Sequence, residues 1–78
     1  MVENKALNVT VGERIKTLRR KYHMTQAELA TAAEADRSYV SNIENGQRNA
    51  SLTFLYRICQ TFGITLREFF EDESFMEI

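Results

Sequence analysis

From Arg37 to Asn49 the chain runs RSYVSNIENGQRN, and Val40 and Ile43 are the only aliphatic side chains of any size in it. Arg37, Ser38 and Tyr39 come first, Ser41 and Asn42 follow one helical turn on, and Arg48 and Asn49 come just after Gly46. Donors and acceptors set at helical spacing do the chemistry of recognition: they match a polar partner group by group and break no bond. The parts that bond-breaking needs are missing. The chain shows no nucleophile–base–acid set, no pair of carboxylates flanking a cleft, and no glycine-rich loop to cradle a phosphate. His23 is the only histidine and Cys59 the only cysteine, whereas a metal site takes three or four ligands. A substrate pocket usually occupies about 300 Å3 or more, which is large for a chain of 78 residues. The expectation is a binding protein, with no enzymatic activity, cofactor, metal or small-molecule ligand.

Those residues need a scaffold, and helical spacing dominates the chain. Val11, Ile15, Leu18 and Tyr22 fall at i, i+4, i+7 and i+11, which predicts a helix over about residues 9–22, with Arg14, Lys16, Arg20 and Lys21 on its other face. Thr25 reads as an N-cap, with Glu28 three residues later completing a capping box. The helix that follows spans about 26–33 and turns Leu29, Ala30 and Ala33 inward. Asp36 is a second N-cap, for a helix over about 37–45 that Gly46 ends as its C′ residue. Ser51 caps a helix over about 52–62, with Leu52, Leu55, Ile58, Cys59 and Phe62 inward, and Gly63 closes it. Thr65 and Glu68 form another capping box, for a short helix over about 66–72.

The fold class predicted is all-α: one compact five-helix domain over residues 1–78. There is no proline, no internal repeat, and no alternating apolar run long enough to propose a sheet. The second and third helices are separated by about three residues, the connection of a helix-turn-helix. A domain this small buries only about 60% of its unfolded surface, so its core is marginal and dimerisation would help it.

The net charge of −1 hides an asymmetry. Residues 1–60 carry nine Lys/Arg against six Asp/Glu, whereas residues 61–78 carry one against five. Binding to a polyanion depends on local charge, so this balance leaves nucleic acid open as a partner and turns the acidic C-terminal end away from it. A lone cysteine suits a reducing compartment. The first residues, MVENKALNVTVGERIK, have no apolar run of signal-peptide type. No stretch reaches the roughly 20 apolar residues that cross a bilayer. The expected location is the cytoplasm, with no membrane partner.

The stretch TQAELATAAEADRSYVSNIENG resembles the helix-turn-helix of the lambda-repressor/Cro-like (XRE-type) transcription regulators. Several features agree: Thr25-Gln26 opening the second helix, a small Ala30 where the two helices touch, Val40 and Ile43 at the core positions of the third, and the ending Ile43-Glu44-Asn45-Gly46. The longer stretch DRSYVSNIENGQRNASL is similar to the controller proteins of restriction-modification systems. One departure stands out. The turn between the second and third helices usually carries glycine where this chain has Glu34, and a left-handed Glu34 would cost on the order of 1 kcal/mol.

The resemblance implies a sequence-specific, homodimeric DNA-binding regulator of palindromic operators, one that controls its own gene and an endonuclease gene. An antitoxin or phage-type repressor of the same fold, or a protein-interaction module acting through the fifth helix, are the alternatives. The partners implied are double-stranded DNA through its major groove and a second copy of the chain, with RNA polymerase a further candidate. By resemblance Arg37, Ser38 and Asn42 occupy base-reading positions. An arginine there can grip guanine O6 and N7, and an asparagine can read adenine; the bland alternative for Arg37 is a surface ion pair with Asp36 or Glu34. Thr25, Gln26, Tyr39, Ser41, Arg48 and Asn49 are the candidate contacts to the DNA backbone, with Gln26 a phosphate binder by resemblance. Tyr39 has an equal claim to pack its ring on the second helix and point its hydroxyl to water. Arg19 and Glu44, again by resemblance, form a bridge that orients the recognition helix; the alternative is a solvated Arg19.

After Gly63 the chain reads ITLREFFEDESFMEI. One small core cannot easily absorb so many apolar groups. Phe69 is expected inward, and Leu66, Phe70, Phe75 and Met76 are the candidate dimer interface. The alternative is a tail that folds back on its own monomer or is disordered after Glu73.

Overall fold

The computed structural model describes residues 4–78. Five helices form in chain order: α1 (Lys5–Lys21), α2 (Gln26–Ala32), α3 (Arg37–Glu44), α4 (Leu52–Phe62) and α5 (Leu66–Phe70), followed by a 3-10 turn, Glu73–Phe75. No strand occurs among the described residues. Ile15, Leu29, Val40, Ile43, Ile58 and Phe69, from all five helices, are almost wholly buried and form one core.

Local chemistry sets most of the boundaries. Thr25 and Thr65 each accept from the N–H three residues on, while Glu28 and Glu68 each accept from the threonine's own N–H, so both capping boxes form. Ser51 caps α4 through Phe54 N–H. Asp36 stands at the N-cap position of α3 in extended backbone, but its side chain makes no capping bond, against expectation. α1 begins four residues earlier than its apolar spacing predicts. Asn4 accepts from Leu7 N–H at 3.0 Å and starts the helix. Leu7, in that added turn, is exposed, so burial does not announce the turn; a cap and good helix formers carry it.

Two apolar expectations are corrected. Leu52 is 70% exposed and Phe54 takes the inward place instead. The α4 stripe is therefore Phe54, Leu55, Ile58, Cys59 and Phe62, which leaves the first residue of the helix over the edge. Tyr22 does not enter the core; it stacks on Phe62 from outside, ring centroids 5.1 Å apart.

α5 ends earlier than predicted, at Phe70, and α1 holds that end. Arg14 donates from Nε to the Phe69 carbonyl (2.9 Å) and from Nη2 to the Glu68 carbonyl (3.1 Å), with Asp72 at 3.8 Å. The last carbonyls of a helix lack partners within it, and Arg14 supplies them. Phe75 then folds back, with its ring centroid 5.0 Å from that of Phe70 and 6.0 Å from that of Phe69.

Candidate nucleic-acid interface

α3 is seated between α1 and α2. Gly12 of α1 lets it come close: a Cβ there would stand 2.2 Å from the Ile43 carbonyl oxygen, so any other residue forces the helices apart. At the far end Gly46 turns the chain out of α3 with φ 72°. A Cβ on Gly46 would press on Val9, 2.8 Å from its Cγ2.

The turn before α3 is closed by Ala35 N–H donating to the Ala30 carbonyl (2.8 Å) and Glu34 N–H to the Thr31 carbonyl (3.3 Å). That is a Schellman ending, whose C′ residue is left-handed. Glu34 occupies that position with φ 55°. The turn keeps the shape that glycine would give it, and Glu34 bears the strain.

The ion pair expected between α1 and α3 forms. Arg19 donates from Nε to Glu44 Oε2 (2.7 Å) and from Nη2 to Oε1 (3.0 Å), and its Nη1 donates to the Met24 carbonyl (2.8 Å). Gln26 donates from Nε2 to Glu44 Oε1 at 3.1 Å. Glu44 is 1% exposed, and a buried carboxylate is tolerated only when its lone pairs are met. Three donors from α1 and the start of α2 meet them here. The Glu44 hydrogen bonds push the Arg19 guanidinium pKa up from its ordinary value. The family resemblance pointed to Arg19 and Glu44 but not to Gln26 as the third member; the Gln26 side chain, expected at a phosphate, donates to Glu44 and helps hold α3.

Val40, Ile43 and Glu44 bury one side of α3. Arg37 and Ser38 are exposed, and Ser41 and Asn42 are half-buried. Arg37 makes no ion pair with Asp36 or Glu34; the Glu34 carboxylate lies instead 3.8 Å from Arg57. Thr25 is exposed, and its hydroxyl is occupied in the α2 cap. Tyr39 packs on its own domain, but its ring meets Phe54 of α4 edge-on at 4.8 Å, and its hydroxyl accepts from Ser51 N–H at 3.1 Å where water was expected. Arg48 lies over the outer face of that ring, 4.8 Å from its centre, and Asn49 is exposed beside it. The result is one continuous polar surface running from Arg37 along α3 to Arg48 and Asn49. It holds cations at both ends and hydrogen-bonding groups between them. That suits a partner with phosphates at its margins and base edges in its middle.

Among the described residues no group of three or more His, Cys, Asp and Glu could hold a metal ion. No described helix is long and apolar enough to cross a membrane. Surface hollows of several hundred cubic ångströms do occur, contrary to the expectation from size. One of about 390 Å3 lies beside Tyr39 and Arg48.

Comparison with known proteins decides the family. A helix-turn-helix family model matches residues 15–69, which takes in α2, α3 and the turn between them. The chain belongs to this helix-turn-helix family. It is a DNA-binding transcriptional regulator, and its relatives include controllers of restriction-modification systems. Control protein C.MunI of Mycoplasma sp is 42% identical over 67 residues, 85% of this chain and 90% of that one. The restriction-modification controller protein C.AhdI from Aeromonas hydrophila is 38% identical in its crystal structure. That match covers 83% of this chain and 98% of that one, with a TM-score of 0.79. The controller protein C.Esp1396I, solved as a tetramer with its natural 35 base-pair operator, is 35% identical over 83% of this chain and 86% of its own, with a TM-score of 0.76. α3 is the second helix of this helix-turn-helix, and the Arg19–Glu44–Gln26 contacts tie its end to α1 and α2.

Proposed function

We propose that the chain is the controller protein of a restriction-modification system, a homodimer that binds a palindromic operator and regulates its own gene and that of the endonuclease. The carrying observation is the surface of α3: an exposed Arg37-Ser38 pair with Asn42 one turn on, backed by a buried Arg19–Glu44–Gln26 network. Such a helix end is held rigid while its outer groups stay free to read. Arg37, Ser38 and Asn42 contact base edges. Gln26, Thr25, Tyr39, Ser41, Arg48 and Asn49 position the domain on the sugar-phosphate backbone. Two copies related by a two-fold axis place their recognition helices about 34 Å apart, one turn of DNA. Leu66, Phe70, Phe75 and Met76 are the first candidates for the contact between them. Phe70 is 40% and Met76 78% exposed, whereas Phe75 is half-covered by its own chain.

The operator-bound relative is a tetramer, which supports dimers of this chain binding side by side. Protein concentration is then the signal, and cooperative binding turns gene dosage into a switch.

Selection of binding sites from random duplex DNA at about physiological salt tests this. The expected product is a palindrome with half-sites about one helical turn apart. Arg37→Ala should lose about 1–3 kcal/mol of preference at one base position. Arg48→Ala should weaken binding to all sequences and lower the salt slope by about one. A protein that enriches no sequence, and whose affinity neither substitution changes, is not this regulator.

A further inference from the structure

The cations of α1 divide between two sides of the helix, and one pair has no task in the surface described above. At about 3.6 residues per turn, Arg14 and Lys21 fall on one side, and Val9, Lys16 and Arg20 fall together on another. Arg14 faces the end of α5. Lys21 shares that side, with its Nζ 5.7 Å from the centre of the Tyr22 ring. Val9 lies against Gly46, the residue that turns the chain out of α3. Lys16 and Arg20 continue its stripe, roughly two and three turns further along α1. Gly12 and Arg19, beside that stripe, meet the last residues of α3: Gly12 at the Ile43 and Glu44 carbonyls, Arg19 at the Glu44 carboxylate. This side of α1 therefore borders the end of α3.

Both cations are free for a partner. Arg20 is exposed and forms no ion pair among the described residues. Lys16 has Glu13 at 3.7 Å, with a Glu13 side chain 61% exposed, and so long and open a pair holds loosely. After Arg20 the chain turns sharply. His23 N–H donates to the Arg20 carbonyl, and Arg19 holds the Met24 carbonyl. The backbone of Arg20 is thus next to the turn that leads into α2, where Thr25 and Gln26 stand.

We propose that Lys16 and Arg20 form a further grip on the DNA backbone, neutralising phosphates of the strand that passes the start of α2, outside the base pairs that α3 reads. This rests on the DNA reading of the α3 surface and deepens it. A rise of about 6 Å separates the two residues along α1. Long side chains at that spacing reach separate phosphates, which follow one another about every 3.4 Å along the axis of a strand. A duplex backbone fits better than other anions. The two cations stand on a convex helix, whereas a small anion needs a concave site. Glu13, Thr17 and the two cations offer no apolar side chain on this stretch, whereas a helix that lies on a membrane needs an apolar face. Such contacts are blind to sequence: they raise affinity for every duplex and lengthen the stretch of DNA that the protein needs.

Salt titration of operator binding tests this, with the selected operator carried in a duplex longer than its palindrome. Each phosphate contact adds about 0.9 to the slope of log affinity against log salt. From about 50 to about 200 mM salt, the wild type should lose about 12-fold more affinity than Lys16→Ala/Arg20→Ala, and about 3.5-fold more than either single variant. Lys21→Ala, on the other side of α1, should follow the wild type. Site selection with the double variant should return the same palindrome. Ethylation of phosphates flanking the palindrome should impair the wild type and leave the double variant indifferent. Circular dichroism checks the fold of each variant. A double variant with the wild-type salt slope, while Arg48→Ala lowers it, means that DNA does not reach this side of α1: the proposal falls and the DNA reading of α3 stands. An equal drop from Lys21→Ala makes the effect one of general charge, and the proposal falls as well. Duplex RNA bound more tightly than the operator, and lost in the double variant, overturns it in favour of RNA. If neither the α1 substitutions nor Arg48→Ala changes the slope, the DNA reading of α3 falls with it.

Discussion

Two arginines of α1, five positions apart, hold the two ends of the molecule in different ways. Arg19 grips the end of the recognition helix through a carboxylate, Glu44, that is almost wholly buried. Arg14 grips the end of α5 through two backbone carbonyls, with Asp72 half-exposed at 3.8 Å. A charge facing a buried charge must keep its partner, since either one alone is stranded in a poor solvent for ions. A charge facing carbonyl dipoles demands no such partner. The reading end is thus built to be rigid at high cost of failure, and the α5 end is clamped more gently. Under the proposed function the angle matters most at α3, whose side chains are to meet base edges.

The largest predicted effect tests the stricter clamp. Glu44→Ala leaves the Arg19 side chain, 13% exposed, without its countercharge and should cost about 3–5 kcal/mol in urea unfolding. Replacing both partners, Arg19→Met with Glu44→Leu, should recover most of that stability while operator affinity stays low. If the double variant binds normally, the pair supports the fold and not the angle of α3.

Arg14→Ala should cost less, about 1.5–3 kcal/mol, the range for hydrogen bonds from a charged group. Its effect should be local. Hydrogen exchange should speed up at the amides of α5 and of residues 71–75 and leave α3 unchanged, and the selected operator should keep its sequence. Equal losses from Arg14→Ala and Glu44→Ala would erase the contrast between the two ends.

The helix ends show how far the sequence could be read. α1, α2, α3 and α4 all close the same way. An N–H donates to the carbonyl five residues back: Met24 to Arg19, Ala35 to Ala30, Gln47 to Asn42 and Ile64 to Cys59. The residue before each donor is left-handed: His23, Glu34, Gly46 and Gly63. Glycine announces the last two, so those ends were legible. Glu34 was flagged only through a family resemblance, and nothing marked His23, because tertiary packing imposed a conformation its side chain disfavours. The apolar stripes located the core but misplaced Leu52, a first-turn residue whose direction depends on how α4 rolls onto Phe54. Arg37, Ser38 and Asn42 stood out by type and spacing, and Arg19 and Glu44 only through the family resemblance. Arg14 did not, since a carbonyl clamp leaves no periodic trace and arises only once distant segments meet.

The same strain predicts a gain. His23→Gly and Glu34→Gly should each stabilise the domain by about 1 kcal/mol by removing a side chain from left-handed backbone. That corresponds to a rise of roughly 4–8 °C in melting temperature. The His23 gain should be the larger. Glu34→Gly also gives up the contact to Arg57 at 3.8 Å, with side-chain exposures of 43% and 76%, and such a pair is worth only about 0–1 kcal/mol. Because both turns already have the shape glycine prefers, operator affinity should not change. A loss of affinity in Glu34→Gly would mean that strain at this turn helps to aim α3.

The smallest effect is a response to acid, and it too divides the ends. The N–H groups and hydroxyls of Thr25 and Thr65 hold the Glu28 and Glu68 carboxyls below the usual range, and the hydroxyl and N–H of Ser74 do the same for Asp72. A lowered pKa in the folded state favours folding above the unfolded value, about 4.3 for Glu and 3.9 for Asp. That contribution disappears as pH falls through the folded value. Stability should therefore hold from neutral pH to about 5 and decline below it, with Glu28→Gln and Glu68→Gln each flattening part of the decline in urea midpoints. The reading end has one such carboxylate, Glu28, whereas the α5 end has two, and Asp72 also faces Arg14. Acid should consequently loosen α5 before α2. Hydrogen exchange at about pH 4 that opened α2 first would show that the capping boxes, not the Arg14 clamp, decide which end yields.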